Sequence, residues 1–238
     1  MDCNSCKLQI KSNSDEITAS EVKMKGLIVS GIGTDVGKTV ISAALCQALT
    51  GDYWKPVQSG TQDSPPDSDT VRSLIKKGES RIHPSSYTFA HSLSPHAAAK
   101  LVNVKITLDA IITPVTDKVL IVELAGGILV PLNDEKTNID LIRKLCFPII
   151  LVANHYLGSI NHTLLSIEYL KNAGLPLIGI IFNGEELLPE TESIVLKLSS
   201  VPIIARVPIL PELNSVTIAE LAQNLVKLNL KKLASEYW

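Results

Sequence analysis

Apolar residues occur along this chain in short continuous runs, and most runs are followed by a turn and then by a segment with helical periodicity. Such runs, without polar alternation, are typical of strands that are buried on both faces. The first strand predicted in this way begins at Leu27. The other predicted strands cover 53–60, 118–123, 147–153, 177–183 and 203–207. The helices predicted between them cover 40–45, 70–75, 161–172 and 190–198, with further helices that begin near Ser94 and Thr217.

The regular alternation of strands and helices predicts an α/β fold. Right-handed crossovers then give a mostly parallel β-sheet covered by helices on both faces. No linker divides 24–238, which we predict to be one domain. The polar, aperiodic segment 1–23 is predicted to be a flexible tail or an added extension, with Met24 as a possible natural start. Ligands of such sheets bind outside the carboxyl ends of the strands, so every loop that follows a strand is a candidate for the site.

Composition narrows the classes of partner. The 238 residues are 45% hydrophobic, enough for a sizeable core, and they carry a formal net charge of -2 with only 4% aromatic residues. A nucleic-acid-binding surface would need a basic patch or stacking aromatics, so the expected partners are small molecules or proteins. No apolar run approaches the roughly 18 residues of a membrane span, and the first segment is polar, so we expect no membrane partner and a cytoplasmic location.

The segment 27–39 carries the clearest chemistry, because an apolar run enters a glycine-rich turn and a helical segment follows. Free amides at a helix start and the positive end of its dipole bind anions, and glycine lets the backbone approach a phosphate. Lys38 adds a mobile positive charge, and Thr39 supplies a hydroxyl for a magnesium ion. Five residues separate Gly31 from Gly37, one more than in the usual phosphate-binding loop (P-loop), so the segment is a variant of that loop.

An acid closes the apolar strand at 118–123. Glu123 is placed like the carboxylate that holds magnesium opposite the threonine of a phosphate loop. A strand-terminal acid can also be a solvated end, but the phosphate loop in the same chain favours the metal role. Cys3 and Cys6 have the spacing of a metal or redox pair, and neither a second pair nor a nearby histidine supports that role.

Three segments together resemble the dethiobiotin synthetase family: GTDVGKT at 33–39, WKPVQSG at 54–60, and VELAGG at 122–127, the last followed by Pro131-Leu132. Further along, 157–163 resembles the family's loop for the substrate carboxylate, Asn183 its adenine contact and 207–212 its ribose-side loop. The resemblance runs from about residue 25 to the end, in the family's order and spacing.

The resemblance implies an ATP-dependent cyclo-ligase of biotin biosynthesis, which forms the ureido ring of dethiobiotin from diaminopelargonic acid and CO2 or bicarbonate. One amine captures CO2 as a carbamate, the carbamate takes the γ-phosphoryl group of ATP to form a carbamic-phosphoric anhydride, and the second amine displaces phosphate. Phosphoryl transfer depends mainly on positioning and charge neutralisation, which lysines and a magnesium ion would supply. ATP and Mg2+ are therefore the implied cosubstrate and metal.

The family's site residues carry over onto matching positions of this sequence. The implied catalytic residues are Lys38 and Lys55, and the implied magnesium ligands are Thr39, Asp69 and Glu123. The implied nucleotide contacts are Gly33, Thr34, Asp35, Val36, Gly37, Lys38, Thr39, Val40, Asn183, Pro208, Leu210 and Glu212. The implied contacts to the diamine substrate are Thr34, Asp35, Lys55, Ser59, Gly126, Gly158, Ser159, Ile160 and Asn161.

The resemblance also implies a homodimer with the site at the subunit interface, because in the family the loop at 158–161 comes from the neighbouring subunit. That loop opens a helix, so its free amides suit a carboxylate at the far end of an aliphatic chain. Ser59 and Asp69 have an alternative local role, since serine after a strand and aspartate before a helix commonly cap turns and helices.

Departures from the family's pattern lie beside the matching positions. Leu124 stands where the family commonly has glycine, and it either crowds the substrate pocket or points into the core, while Ile32-Gly33 replaces a common Thr-Asp. Two other functions remain open at this point. One is a regulatory or partitioning-type ATPase, whose loop carries an additional lysine that 30–33 lacks here, and the other is a nucleotide-binding relic without turnover.

Overall fold

The computed structural model describes residues 25–76, 78, 81–184 and 189–227. The predicted tail at 1–23, Met24, the pair Cys3 and Cys6, and the chain beyond 227 lie outside the described residues. The strands are β1 (Gly26–Gly31), β2 (Asp52–Trp54), β3 (Val57–Gln58), β4 (Ile82–His83), β5 (Tyr87–Thr88), β6 (Leu120–Gly127), β7 (Ile149–Ala153), β8 (Leu177–Asn183) and β9 (Ile203–Val207). The helices are α1 (Lys38–Leu49), α2 (Asp67–Leu74), α3 (Pro95–Leu101), α4 (Asn138–Leu145), α5 (Ser159–Asn172), α6 (Pro189–Ser199) and α7 (Ser215–Lys227).

A seven-stranded sheet in the order β4-β2-β6-β1-β7-β8-β9 forms the centre of the fold. Every strand pair in it is parallel. Strands β1 and β7 are buried along their whole length, which explains their continuous apolar sequences. The predicted α/β class with a mostly parallel sheet is therefore confirmed.

Helices cover both faces of this sheet. On one face, α1, α2 and α7 pack their apolar side chains against strand residues such as Tyr53 and Ile121. On the other face, α3 and α4 pack against Trp54, Val122 and Leu124, and α5 and α6 cover the β8 and β9 side. Among the described residues, no helix has the length and apolar character needed to cross a membrane.

The strand predicted at 53–60 is in fact two strands in different sheets. Strand β2 ends at Trp54, and β3 pairs in parallel with β5 in a separate two-stranded sheet. The chain leaves the main sheet at Lys55-Pro56, because proline has no amide hydrogen with which to continue a ladder. Because of this break, Lys55 lies directly after the carboxyl end of β2.

Several elements escaped the sequence prediction or end elsewhere than predicted. Helix α4 was missed, although Thr137 and Asp140 form a reciprocal capping box at its start. The two-residue strands β4 and β5 are too short for a periodic signal. Helix α1, predicted over 40–45, runs from Lys38 to Leu49 and is capped by Thr50, which takes the left-handed conformation at φ 53°.

Strand register determines which residues meet at the carboxyl edge of the main sheet. Trp54 of β2 pairs with Val122 of β6, and Val29 of β1 pairs with Glu123. The residue after β2, Lys55, therefore comes level with Glu123, while β1 enters its glycine-rich loop on the other side of β6.

Candidate active site

The glycine-rich loop connects β1 to α1 through backbone conformations that few side chains tolerate. Asp35 has φ 57° and Gly37 has φ 91°. An ideal Cβ atom on Gly37 would lie only 2.0 Å from Asn183 Nδ2, so this position requires glycine for space as well as for conformation. Gly37 is also the N-cap of α1 and provides no side-chain cap, so the first amides of the helix remain suited to an anion.

Lys38, the first residue of α1, is folded back over this loop. Its Nζ atom donates a hydrogen bond to the Gly33 carbonyl oxygen at 2.8 Å, and the side chain is buried. Burial lowers the pKa of Lys38 below its ordinary value, although the negative charge of Glu123 opposes that effect. An incoming phosphate would offer this ammonium a stronger, charged acceptor than the carbonyl.

Polar side chains from several segments meet beside Lys38. Thr39 Oγ1 lies within hydrogen-bond distance of two carboxylate oxygens, Asp67 Oδ1 at 2.9 Å and Glu123 Oε1 at 3.0 Å, and its single proton is donated to one of them at a time. Lys55 Nζ donates to Asp67 Oδ2 and, at 3.2 Å, to Glu123 Oε1. Tyr53 donates its hydroxyl proton to Glu123 Oε2 at 3.1 Å. We call Thr39, Lys55, Asp67 and Glu123 the carboxylate cluster.

The carboxylate cluster is a buried charge network. Glu123 is 1% exposed and Lys55 is 6% exposed. Burial opposes the charge of Lys55, but Glu123 and Asp67 outweigh burial and raise its pKa above the ordinary value. Burial likewise opposes the charge of Asp67, yet Lys55 outweighs it and lowers the pKa of that carboxyl. Burial, followed by the charge of Glu123, raises the pKa of Tyr53 well above its usual range, so its hydroxyl remains a donor.

Asp69 lies outside this cluster, although the sequence predicted it as a magnesium ligand. Its side chain is 50% exposed and pairs with Arg72 one turn further along α2. Asp67 and Asp69 are two positions apart, about 200° around the helix axis, so both cannot face the same point. Gln58 contacts the start of this helix, since its Oε1 accepts a hydrogen bond from the Asp67 amide at 3.1 Å. The sequence analysis named neither Asp67, which contacts Thr39 and Lys55 here, nor Gln58, which contacts Asp67. The acidic pattern of 67–69 gives no local signal that separates Asp67 from Asp69.

The positions predicted for the diamine lie partly around this cluster. Thr34 and Asp35 are exposed at the top of the loop. Gly126, at φ 63°, approaches the loop closely, because an ideal Cβ there would lie 3.6 Å from Thr34 Oγ1. The Ser59 hydroxyl is buried and has no hydrogen-bond partner among the residues that the structure describes. Leu124 is buried in the core beside Ile128, so it points away from a pocket on the loop side.

Of the predicted nucleotide contacts after β8 and β9, Asn183 is the one that touches the glycine-rich loop in the described residues. Asn183 Nδ2 donates to the Val36 carbonyl oxygen at 3.1 Å and lies against Gly37. Val36 is buried, and Val40 packs against the core through the first turn of α1. In the loop after β9, Pro208 and Glu212 are exposed, whereas Leu210 packs on the core cluster that contains α1 and α7.

The segment Gly158, Ser159, Ile160 and Asn161 forms the start of α5, after β7. Gly158 is its N-cap at φ 103° and provides no side-chain cap, so the helix start has the open amides that the sequence analysis expected. Ser159 is buried, whereas Ile160 and Asn161 are exposed. Among the hydrogen bonds found for the described residues, none joins this segment to the carboxylate cluster.

The carboxylate cluster has the donor chemistry of a magnesium site. Thr39, Asp67 and Glu123 converge on one region with oxygen atoms only, which magnesium prefers. Within the described residues, no group of three or more His, Cys, Asp or Glu side chains is placed to hold a metal by itself. A cation here would therefore share its coordination with phosphate and water, as is usual for magnesium at nucleotide sites.

Comparison with known proteins gives consistent relatives over most of the chain. A family model described as an AAA domain matches residues 25–217. The ATP-dependent dethiobiotin synthetase of Christiangramia forsetii is 43% identical over 203 residues, which are 85% of this chain and 97% of that protein. The ATP-dependent dethiobiotin synthetase of Cytophaga hutchinsonii is 49% identical over 175 residues, which are 73% of this chain and 84% of that protein.

Solved structures with a similar fold are much more distant in sequence. The septum site-determining protein MinD of Pyrococcus horikoshii, complexed with Mg-ADP, aligns with a TM-score of 0.53 at 18% identity and covers 90% of this chain and 98% of its own. The cell division ATPase MinD of Pyrococcus furiosus aligns with a TM-score of 0.50 at 19% identity, over 86% of this chain and 99% of its own. At such identities the likeness extends to the fold alone.

Gly37 offers a direct test of the loop geometry. We expect Gly37→Ala to lower the free energy of unfolding by about 1–2 kcal/mol, because a left-handed conformation strains any residue with a Cβ atom. Contact with Asn183 adds to that cost. The matched control is Gly33→Ala, since a Cβ atom there meets no protein atom within 4 Å. Urea unfolding of both variants measures the difference, and an equal loss in the two would contradict the assigned geometry.

Proposed function

The chain belongs to the family of ATP-dependent dethiobiotin synthetases, and from that premise we propose that the carboxylate cluster is the centre at which it transfers phosphate and closes the ureido ring. It is an ATP-dependent ligase of biotin biosynthesis. One observation carries the placement of the chemistry. The Lys55 ammonium lies between the carboxylates of Asp67 and Glu123, directly beside the first turn of the phosphate-loop helix.

In this proposal the first turn of α1 binds the triphosphate of ATP. The amides after Gly37 and the positive end of the helix dipole attract the phosphates, and Lys38 exchanges the Gly33 carbonyl for a phosphate oxygen. Gly33, Thr34, Asp35 and Val36 supply the backbone that encloses them, and Val40 anchors the helix in the core. The base and ribose are proposed to lie against Asn183, Pro208, Leu210 and Glu212.

Thr39, Asp67 and Glu123 are the proposed ligands of magnesium. Bound there with ATP, the ion would neutralise charge that spreads over the γ-phosphate during transfer. Asp67 takes the place predicted for Asp69, because its carboxylate already contacts Thr39. Asp69 would need a rearrangement at the start of α2 to reach the same point.

Lys55 is proposed to hold the carbamate and the γ-phosphate together. Its pKa is raised, so it stays positively charged at neutral pH and can stabilise the anhydride-forming transition state. The diamine is proposed to lie across the loop, with Thr34, Asp35, Ser59 and Gly126 around its amines. The unpartnered hydroxyl of Ser59 would gain an acceptor or donor there.

A homodimer completes the proposed site. The start of α5 exposes apolar side chains, of which Leu157 is fully exposed at 104% and Tyr156 is 42% exposed. Apolar exposure next to open helix amides suits a surface that another subunit covers. In the dimer, 158–161 of one subunit would bind the substrate carboxylate held by its partner. A cytoplasmic location remains a prediction of the sequence.

The alternative functions have weaker support. The relatives at 43% and 49% identity are named dethiobiotin synthetases, whereas the MinD proteins share the fold at 18% and 19% identity. Leu124, which departs from the family's pattern beside Glu123, packs in the core and therefore gives no support to a site that has lost its function. Neither the regulatory ATPase nor the relic is therefore favoured.

The first test combines the complete reaction with lysine variants. Purified protein is given ATP, magnesium, bicarbonate and diaminopelargonic acid, and phosphate release and product mass are followed. We expect Lys38→Ala and Lys55→Met each to lower kcat by about 100-fold or more, because each removes positive charge from the transition state. Lys105→Ala is the control, since Lys105 is exposed and faces Glu135 at 3.9 Å.

Circular dichroism verifies that the variants of this test are folded. Unchanged turnover in folded Lys55→Met protein would remove Lys55 from the site. Phosphate release that ignores the diamine would contradict the ligase assignment itself.

A second test separates the two acids of α2. We expect Asp67→Asn to raise the magnesium concentration for half-maximal activity by about tenfold or more, because it removes a charged oxygen from the cluster. Asp69→Asn has the same chemistry and should leave that concentration within about twofold of the parent value, since an exposed ion pair contributes little. The opposite ranking would mean that Asp69 turns into the site when ligands bind.

The proposed dimer predicts a defined effect at Leu157. Leu157→Asp should shift the protein from dimer to monomer in sedimentation velocity and lower turnover, because a charge would have to be buried at the interface. Val115→Asp is the matched control, as Val115 is 91% exposed and precedes β6 at the opposite edge of the sheet. A parent protein that sediments as a monomer at assay concentration would overturn the dimeric site.

A further inference from the structure

Tyr53 is a fully buried tyrosine whose hydroxyl reaches the carboxylate cluster. It lies in β2, between Ile82 of β4 and Ile121 of β6. Its hydroxyl donates to Glu123 Oε2 at 3.1 Å, while Glu123 Oε1 accepts from Thr39 and from Lys55. The two oxygens of this carboxylate therefore have different partners, and Oε1 is the one that faces the proposed metal.

Strand geometry explains how Tyr53 reaches Glu123. Tyr53 pairs with Ile121, and Glu123 follows two residues further along β6, about 6.6 Å away along the strand. Both side chains lie on the sheet face that α1 covers, and a tyrosine that leans along the strand spans this distance. Lys55 follows Tyr53 by two residues and shares that face. Strand β2 and the residue after it thus supply one donor to each oxygen of Glu123, the Tyr53 hydroxyl to Oε2 and the Lys55 ammonium to Oε1.

We propose that Tyr53 is a positioning residue for the reaction: by holding Glu123 Oε2, it fixes the rotation of the carboxylate so that Oε1 faces Thr39 and the magnesium ion bound there. The inference rests on the proposed magnesium role of Glu123. A carboxylate in the interior cannot use water to satisfy its second oxygen, so a protein donor must do so. Hydrogen bonds of this kind to a metal-binding carboxylate orient it and strengthen its hold on the ion.

A purely structural role for Tyr53 makes a different prediction. The ring packs in the core with α1 residues, and phenylalanine would keep that packing while removing the hydroxyl alone. If the ring alone matters, Tyr53→Phe should leave magnesium dependence unchanged. If the hydroxyl positions Glu123, the loss should fall on magnesium binding and should be recovered when magnesium is supplied in excess.

The experiment measures magnesium in two independent ways. Magnesium-dependent binding of a non-hydrolysable ATP analogue is followed by calorimetry, and the magnesium dependence of turnover is measured alongside it. For Tyr53→Phe we expect the half-saturating magnesium concentration to rise about tenfold in both. At saturating magnesium, kcat should return to within about twofold of the parent value, as expected when binding of the ion is weakened and the chemical step is not.

Trp54→Phe is the matched control from the next position of β2. Trp54 is equally buried and donates its Nε1 hydrogen to the Pro84 carbonyl oxygen at 3.1 Å, on the other sheet face. This variant also loses a buried hydrogen bond, and urea unfolding shows whether the two variants are comparably destabilised. It should leave the half-saturating magnesium concentration unchanged, and a rise equal to that of Tyr53→Phe would overturn the proposal.

The variant Glu123→Gln, measured in the same titrations, tests the magnesium role of Glu123 separately from the positioning role of Tyr53. A loss of magnesium dependence in Glu123→Gln, together with parent-like behaviour of Tyr53→Phe, would reject the role of Tyr53 alone. Parent-like magnesium dependence in folded Glu123→Gln would instead reject the metal role of Glu123. The expected result is a large effect for Glu123→Gln and a smaller, magnesium-recoverable one for Tyr53→Phe.

Discussion

The burial of the Glu123 carboxylate is the constraint around which the site is built. A charge with 1% exposure has lost its water, and it is tolerated only when partners satisfy both oxygens. Those partners come from three places in the chain: the first turn of α1, the residue after β2, and the middle of β2. Leaving a charge in such a network without its partner costs about 3–5 kcal/mol, so the network constrains the relative positions of these segments.

Two members of the same network, Asp67 and Lys55, have pKa values shifted in the direction that favours their charged forms. The pKa of Asp67 is lowered, so its contribution to stability is present above the pKa of an unfolded aspartate and is lost as the pH falls through the native value. The pKa of Lys55 is raised, so its contribution is complete below the pKa of an unfolded lysine and is lost as the pH rises through the native value. Between these limits Asp67 and Lys55 both keep their charges, so the ion pair between them is present at neutral pH.

The sequence predicted the long buried strands because continuous apolar runs leave little choice of structure, and β8 and β9 were placed at their correct ends. It failed where structure depends on distant contacts. The break at Pro56 was interpreted only as a strand end, since nothing local indicates that 57–58 pairs with 87–88. In the sequence, Tyr53 reads as an ordinary strand residue of the core. Its contact with Glu123 depends on the register of β2 against β6, which no local sequence feature indicates.

The sequence could not distinguish Asp67 from Asp69 for the same reason, because the difference between them depends on contacts with distant segments. Both acids stand in the first turn of α2, where either is a favourable helix-start residue. Which one faces the cluster depends on the rotation of the helix, which buries Val71 and Leu74 in the core and hydrogen-bonds the Asp67 amide to Gln58 of the small sheet. A family motif matched by position therefore pointed to Asp69, whereas the packed chain brings Asp67 to Thr39.

The position of the carboxylate cluster explains why the phosphate loop has one residue more than usual. Its final residues, Gly37 to Thr39, must begin α1 beside the carboxylate cluster, and the left-handed turn at Gly37 achieves that entry. The extra length then allows a second left-handed turn at Asp35, which leaves Thr34 and Asp35 exposed above the loop with Gly126 close to Thr34. A loop of the usual length has fewer residues to spare for such a projection. Under the proposed function, the insertion separates two tasks within one segment: the helix start would bind phosphate, and the projecting residues would meet the second substrate.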